Sequence, residues 1–207
     1  MKQYQKTIDA QQIKKYPVYI YEGETVVVEK QDQIYRAIAD LSSFPVIGFD
    51  TETRPSFRKG VAHSVGLVQL ATEQRVYLFR LNKYGLPPPL QRFFASDDTM
   101  KVGVGIRDDL KALRKIAAFS PAAFMDLQLF VKAFGIEETS FSKLMSIIFH
   151  VRISKRQRTS NWDAETLTPA QVRYAATDAW GALKMYQALK TDQALKTDLS
   201  LLLTTET

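Results

Sequence analysis

Two carboxylates with a spacing suited to metal chemistry follow an apolar stretch of the sequence. Residues 45–50 read PVIGFD, a short run that is typical of a strand buried on both faces. Asp50 stands at its end and Glu52 two positions further, so strand alternation places both side chains on one face. Two like charges repel each other, and a shared hard cation such as Mg²⁺ or Mn²⁺ relieves that repulsion. A solvated acid pair in a loop is the alternative interpretation.

A phenol and a further carboxylate stand four positions apart in a helix predicted from residue 169 to about residue 190. Thr168 and Gln171 form the pattern of a capping box, and the first helical residue is a proline, so the helix register is well defined. Tyr174 and Asp178 then lie on one helix face, about one turn apart. The alternative is a surface tyrosine beside a surface aspartate, but the flanking alanines favour close packing against a sheet.

A fourth acid is selected by helical periodicity. In the helix predicted over 107–118, Asp109 shares a stripe with Ile106 and Leu113, whereas Asp108 lies near the helix start. An acid near a helix start is favoured by the helix dipole, which accounts for Asp108. A carboxylate on the core-facing stripe costs free energy unless it is paired or binds a metal. Asp109 is therefore the better active-site candidate.

Basic residues cluster in a predicted loop, residues 151–166, just before the helix that carries Tyr174. Lys155, Arg156 and Arg158 belong to a stretch without any acid. Such a loop can follow a phosphate backbone, and binding would then depend strongly on salt. A solvated loop without a ligand fits the sequence equally well.

Two further residues are candidates for nucleic-acid contact. Trp162 can stack on a base, as aromatic residues do in single-strand grooves, or it can anchor the basic loop in the core. Arg58, shortly after the first two acids, either lines the entrance for a terminal nucleotide or belongs to a mobile loop.

The elements that must position these residues alternate between strands and helices. A strand is predicted at 24–29, a hairpin from 61–71 and 75–81, and another strand at 101–106. The predicted helices lie at 31–41, 86–94, 107–118, 124–134, 140–149 and 169 to about 190. A hairpin within such a pattern indicates an α/β fold with a mixed sheet. Residues 1–24 are expected to form an N-terminal arm, of which residues 1–17 form a loosely held arm or short helix, and residues 191–207 a tail.

Composition and charge fit a soluble enzyme with a polyanionic partner. The 207 residues suit one sizeable domain, and 28 Lys and Arg against 22 Asp and Glu give a formal charge of +6. Cysteine is absent, which excludes disulfides and Cys-ligated metal sites. The sequence shows neither a signal-peptide pattern nor a membrane span, so we expect a cytoplasmic protein without a membrane partner.

Four segments together resemble the DEDD exonuclease superfamily in its tyrosine branch, over roughly residues 25–190. They are FDTE at 49–52, GIRDDLKAL at 105–113, SKRQRTSNW at 154–162 and RYAATDAW at 173–180. The third segment is most similar to the Werner-syndrome exonuclease domain and its RNase D relatives.

The resemblance implies an RNase H-like fold, a mixed sheet flanked by helices, and hydrolysis of DNA or RNA from the 3′ end to nucleoside 5′-monophosphates. It implies that Asp50, Glu52, Asp109 and Asp178 hold two divalent ions, Mg²⁺ or Mn²⁺, with Asp50 shared between them. Tyr174 would orient the attacking water. The alternative is a catalytically silent nucleic-acid-binding or scaffold module with the same fold. The sequence does not distinguish DNA from RNA as the substrate.

Overall fold

The computed structural model describes residues 3–58 and 60–204. The strands are β1 (Val18–Tyr19), β2 (Glu24–Val28), β3 (Val46–Thr53), β4 (Val65–Ala71), β5 (Arg75–Phe79), β6 (Met100–Gly103), β7 (Phe124–Asp126) and β8 (Arg152–Ile153). The α-helices are α1 (Ala10–Lys14), α2 (Gln31–Leu41), α3 (Leu81–Tyr84), α4 (Pro88–Ala95), α5 (Ile106–Ile116), α6 (Leu127–Phe130), α7 (Phe141–Phe149) and α8 (Pro169–Thr204). A short 3₁₀ helix, Val131–Phe134, follows α6.

A mixed six-stranded sheet forms the centre of the fold, in the order β2-β5-β4-β3-β6-β7. Strand β4 pairs with β3 and β5 in antiparallel fashion, and the other three pairings are parallel. The predicted hairpin is β4 and β5, and the predicted α/β class with a mixed sheet is confirmed. Strands β1 and β8 form a separate two-stranded parallel sheet.

Helices cover both faces of the large sheet. Side chains along β3 point alternately to the two faces, so each face has residues to bury. Phe49 points into a core formed with α2, α4 and α5, which contribute Ile34, Phe94 and Leu113 among others. The opposite face packs against α8, whose small residues lie over β4 and β5. Asp50 and Glu52 project toward this α8 face, because they alternate with Phe49.

Of the two predicted forms of the N-terminal segment, a loosely held arm or a short helix, the structure shows a short helix, α1, and residues on either side of it pack against the domain. Ile8 and Tyr21 are buried, at 5% and 6% exposure. The Tyr21 amide donates a hydrogen bond of 3.0 Å to Oγ1 of Thr177 on α8. Apolar side chains and backbone pairing supply this attachment, and the polar composition of the segment did not reveal it.

The helix predicted over 124–134 is also wrong in its first part. Phe124 to Asp126 form the edge strand β7, paired with β6. Asp126 ends the strand and caps α6, since its Oδ1 accepts hydrogen bonds of 2.9 Å from the amides of Gln128 and Gly105. A short apolar run does not separate strand from helix by periodicity, and sheet pairing decided the outcome here.

Helix α8 begins where the capping pattern predicted. The Thr168 amide donates to Oε1 of Gln171 at 3.0 Å, and the Gln171 amide donates to Oγ1 of Thr168 at 3.2 Å. The helix continues past residue 190 to Thr204, so the predicted tail at 191–207 begins within it, and residues 205–207 lie outside the described residues. In the described part of the chain, no helix is both long and apolar enough to cross a membrane.

Candidate active site

Close packing between β3 and α8 brings the first and last acids of the sequence pattern together. A Cβ atom added to Gly48 would lie 1.9 Å from the carbonyl oxygen of Ala179, so this glycine lets the helix backbone approach the strand. Asp50 follows two positions after Gly48 on the same face, and Asp178 precedes Ala179 on the helix. The contact therefore sets the distance between the two carboxylates.

Three carboxylates converge at this contact. One oxygen each from Asp50, Glu52 and Asp178 lies within 4.8 Å of the other two. Glu52 and Asp178 are buried, at 8% and 7% exposure, and Asp50 is half-buried. Charges this close and this poorly solvated repel strongly unless protons or cations neutralise them.

The pKa values of the three acids are all raised, with burial as the largest cause. Burial raises the pKa of Glu52 to about 10, and the charges of Asp50 and Asp178 add to the rise. Burial raises the pKa of Asp178 to about 7, while a hydrogen bond from Tyr174 acts in the opposite direction. The pKa of Asp50 also lies well above its ordinary range, because of burial and then the charge of Asp178.

Asp109 lies beside this group but outside the set of three. It stands on α5, and its Oδ1 accepts a hydrogen bond of 2.5 Å from Oγ1 of Thr51 on β3. Its charge contributes to the raised pKa of both Asp50 and Glu52, which places it near them. Its own pKa is raised by burial. Asp108 is exposed, and Lys111 donates to its carboxylate at 3.1 Å.

Tyr174 completes the arrangement from the first turns of α8. Burial raises the pKa of its hydroxyl above the ordinary value, and the charges of Asp178 and Glu52 raise it further. The phenol therefore stays protonated at neutral pH and can donate a hydrogen bond, but it cannot serve as a base there.

The sequence profile described as a 3′-5′ exonuclease matches residues 25–193 of the chain. The chain belongs to the 3′-5′ exonuclease family. The matched residues include all four acids and Tyr174. The predicted membership of the DEDD superfamily is thereby confirmed.

Named relatives agree with this assignment. The chain is 31% identical over 175 residues to the bifunctional 3′-5′ exonuclease/ATP-dependent helicase WRN of Mus musculus, covering 82% of this chain and 12% of the relative. The crystal structure of the Aedes aegypti Nibbler EXO domain is similar at a TM-score of 0.74 and 28% identity, covering 85% of this chain and 91% of that one.

Escherichia coli RNase D also has a TM-score of 0.74, at 21% identity and covering 83% of this chain and 46% of that one, and it shares the RNase H-like fold. The chain spans about a quarter of the length of the first curated relatives that it matches.

The acidic group of this exonuclease domain fits a divalent cation. Its donors are carboxylate oxygens, the ligands that Mg²⁺ and Mn²⁺ prefer. Oδ1 of Asp178 is buried and has no hydrogen-bond partner among the described residues. A cation would supply the missing partner for this oxygen and would neutralise the mutual repulsion of the group.

The basic loop of the exonuclease domain divides over two neighbouring pockets. Lys155 and Arg158 line the pocket that contains Asp50, Tyr174 and Asp178. Arg156 lines the adjoining pocket, together with Tyr19 and Arg173. The side chains of Lys155, Arg156 and Arg158 are all exposed. The structure thus brings two of the predicted basic side chains, those of Lys155 and Arg158, to the pocket with the acids.

Arg58 occupies a different place. It lines a cavity between the loop after β3 and the basic loop, together with Phe57, His63 and Asn161. This cavity is separate from the pocket that contains the acids, so Arg58 borders the site and does not face its carboxylates.

Trp162 cannot stack on a base in this structure, which corrects one predicted contact. Its side chain is fully buried, and its ring lies 6.1 Å from that of Tyr174, centroid to centroid. A Cβ atom added to Gly66 of β4 would lie 3.1 Å from the backbone carbonyl oxygen of Trp162, so the backbone of Trp162 packs against the sheet. The indole is the anchor of the basic loop, the alternative that the sequence had left open.

The sequence did not single out several residues of the site. Ser140, Phe141 and Ser142, at the start of α7, line the pocket with the acids. Thr51 orients Asp109, and Gln69 of β4 lies opposite Asp50 in the sheet register. Thr51 stands between the two predicted acids of β3, which was the available signal for it. The position of Gln69 opposite Asp50 depends on the strand register, and the start of α7 meets the site only through tertiary packing.

Proposed function

We propose that this chain is a metal-dependent exonuclease that hydrolyses phosphodiester bonds of DNA or RNA from the 3′ end and releases nucleoside 5′-monophosphates. One observation carries the proposal: Lys155 and Arg158 line the same pocket as Asp50, Tyr174 and Asp178. A pocket with acids on one wall and exposed basic side chains on another suits a phosphate bound to a metal centre. The 3′-to-5′ direction and the products are inferred from the family.

The acids would hold two divalent ions, Mg²⁺ or Mn²⁺. Glu52 and Asp178 would bind one of them, Asp50 would be shared, and Asp109 would serve the other. When bound, the ions would activate a water and stabilise the charge that develops at the scissile phosphate. The hydrogen bond from Thr51 holds the carboxylate of Asp109 in place on its side of the site.

Tyr174 would orient the attacking water, as the tyrosine branch of the superfamily implies. Its hydroxyl keeps its proton at neutral pH, so it donates a hydrogen bond and leaves proton removal to other groups. The buried Trp162 ring lies beside the phenol, at 6.1 Å between ring centroids.

The basic residues would bind the strand behind the reacting nucleotide. Lys155 and Arg158 line the pocket with the acids, so they would contact the phosphates nearest to them. Arg156 and Arg58 border adjoining pockets, where a longer substrate would pass. Phosphate contacts of this kind do not read the sugar, so both DNA and RNA are candidate substrates.

The test uses 5′-labelled single-stranded and 3′-recessed oligonucleotides of DNA and RNA, incubated with Mg²⁺, Mn²⁺ or EDTA. We expect stepwise shortening from the 3′ end that requires the cation. Asp50→Ala and Asp178→Ala should abolish it, whereas Asp108→Asn, an exposed acid of the same domain, should not. Absence of shortening, or equal shortening by the two alanine variants, would favour the catalytically silent module.

A further inference from the structure

Gln69 is a fully buried polar residue of β4 whose amide forms no hydrogen bond. Its side chain is 0% exposed, and neither Oε1 nor Nε2 has a partner within the described part of the chain. All seven residues of the strand are buried. An unpaired buried amide costs free energy, so its presence in this strand calls for a partner that forms under other conditions.

The strand register identifies the group that Gln69 faces. It pairs with Asp50 on β3 and with Leu78 on β5. Its neighbours on the same face of β4 are Leu67 and Ala71, both fully buried. Among these four described neighbours, Asp50 carries the polar side chain. Directly opposed residues on one face have Cβ atoms about 4.5–5.5 Å apart, within reach of a glutamine amide.

Helix α8 covers the face of the sheet on which Asp50 and Gln69 lie. Gly48, on the same face as Asp50, lies directly against the carbonyl of Ala179. Asp178, one residue earlier on the helix, also has a buried oxygen without a partner among the residues described. Two unpaired polar groups therefore lie on the two elements next to Asp50: the Gln69 amide on β4 and Oδ1 of Asp178 on α8.

We infer that Gln69 is a positioning residue of the metal centre: with a cation bound, its Nε2 donates a hydrogen bond to one carboxylate oxygen of Asp50 and holds the other oxygen toward the cation. The inference rests on the proposed function. Groups that hydrogen-bond a ligating carboxylate fix its orientation and strengthen metal binding. A role in core packing alone would instead affect the protein equally with and without the cation.

The test compares wild type with Gln69→Met, which keeps the length of the side chain and removes both amide atoms. Mn²⁺ affinity is measured by calorimetry without nucleic acid, and the thermal midpoint is measured in EDTA. We expect the Kd for Mn²⁺ to rise about 10- to 100-fold. The midpoint in EDTA should stay the same or rise, because the substitution removes the two unpaired amide atoms of Gln69 from the core.

A matched control is Thr99→Val, which removes a part-buried hydrogen bond of 3.1 Å to the Phe44 carbonyl. This bond lies just before the starts of β6 and β3, whereas Asp50 and Glu52 lie further along β3. It should lower the midpoint and leave the Kd for Mn²⁺ unchanged. Gln69→Leu is a second variant that lacks the amide, in case Gln69→Met does not fold.

Asp50→Asn separates this inference from the proposed function. If Asp50→Asn loses Mn²⁺ binding while Gln69→Met and Gln69→Leu keep wild-type affinity, the positioning role is wrong and the metal centre stands. If Asp50→Asn keeps Mn²⁺ binding, the metal centre itself is wrong, and the role of Gln69 with it.

Discussion

The hydroxyl of Thr51 donates a hydrogen bond of 2.5 Å to Oδ1 of Asp109, and this contact joins β3 to α5. Thr51 stands between Asp50 and Glu52 in the chain, so its side chain points to the other face of β3. One short strand segment therefore carries two acids on one face and orients a third, Asp109, on the other. The neighbouring Asp108 is exposed and pairs with Lys111. Two adjacent aspartates of one helix thus have opposite environments.

This difference predicts opposite effects of matched substitutions. Asp109→Asn should lower exonuclease turnover by at least about 100-fold. This is more than the usual effect of losing a residue that hydrogen-bonds a metal ligand. Thr51→Val should lower it by about 10- to 100-fold, because the carboxylate loses its orienting donor. Asp108→Asn should leave turnover within about twofold, since an exposed pair contributes little. Single-turnover assays in Mg²⁺ measure all three, and strong loss in Asp108→Asn would contradict the assignment.

The two basic residues in the acidic pocket should govern the salt dependence of binding. Lys155→Ala and Arg158→Ala should each lower the slope of log K against log salt by about 0.7 for a single strand, because each removes one phosphate contact. Arg156→Ala should change the slope less, since its side chain borders the adjoining pocket. Binding of labelled single-stranded oligonucleotides is measured in EDTA, which prevents cleavage. Equal slopes in all variants would exclude the loop from the interface.

The acids should make the metal-free protein less stable as pH rises. The pKa of Glu52 rises from 4.5 to about 10 on folding, and that of Asp178 from 3.8 to about 7. The folded state therefore keeps protons that the unfolded chain has released, and the stability present below about pH 4 is lost as pH rises through 7 and toward 10.

Unfolding midpoints in EDTA between about pH 5 and about pH 9 test this dependence. Mn²⁺ should raise the midpoint most at the upper end, where a cation replaces the protons. Glu52→Gln should flatten the dependence in EDTA. A midpoint that rises with pH would show that the three carboxylates do not share protons.

Trp162 should behave as a core residue and not as a base-stacking platform. The chain has two tryptophans, so Trp180→Phe leaves Trp162 as the single indole. Its emission should not be quenched by saturating oligonucleotide, because its ring is fully buried. Trp162→Ala should lower the free energy of unfolding by about 3–5 kcal/mol, and Trp162→Phe by less. Quenching by the oligonucleotide would restore the stacking interpretation.

Gly48 should be required for both stability and activity. Gly48→Ala places a methyl group 1.9 Å from the Ala179 carbonyl, so α8 must shift together with Asp178. We expect a loss of about 1–3 kcal/mol in unfolding free energy and a fall in turnover. Gly135→Ala is the control: its Cβ would meet no atom within 4 Å, and its backbone φ of +76° costs about 1 kcal/mol. That variant should keep full turnover.

The sequence alone determined the relations within single elements. The period of two along β3 put Asp50 and Glu52 on one face, and the capping box fixed the register of Tyr174 and Asp178. Helical periodicity separated Asp109 from Asp108, and the structure gives these two residues the predicted difference in exposure. Such relations are local, because backbone geometry sets which neighbours share a face.

Tertiary structure decided the relations between elements. It turned Phe124–Asp126 into a strand, buried Ile8, Tyr21 and Trp162, and joined the Tyr21 amide to Thr177 of α8. It also brought Lys155 and Arg158, but not Arg156, into the pocket with the acids, and it placed Gln69 opposite Asp50. These outcomes depend on sheet pairing and side-chain packing between residues far apart in the chain, which no local spacing encodes.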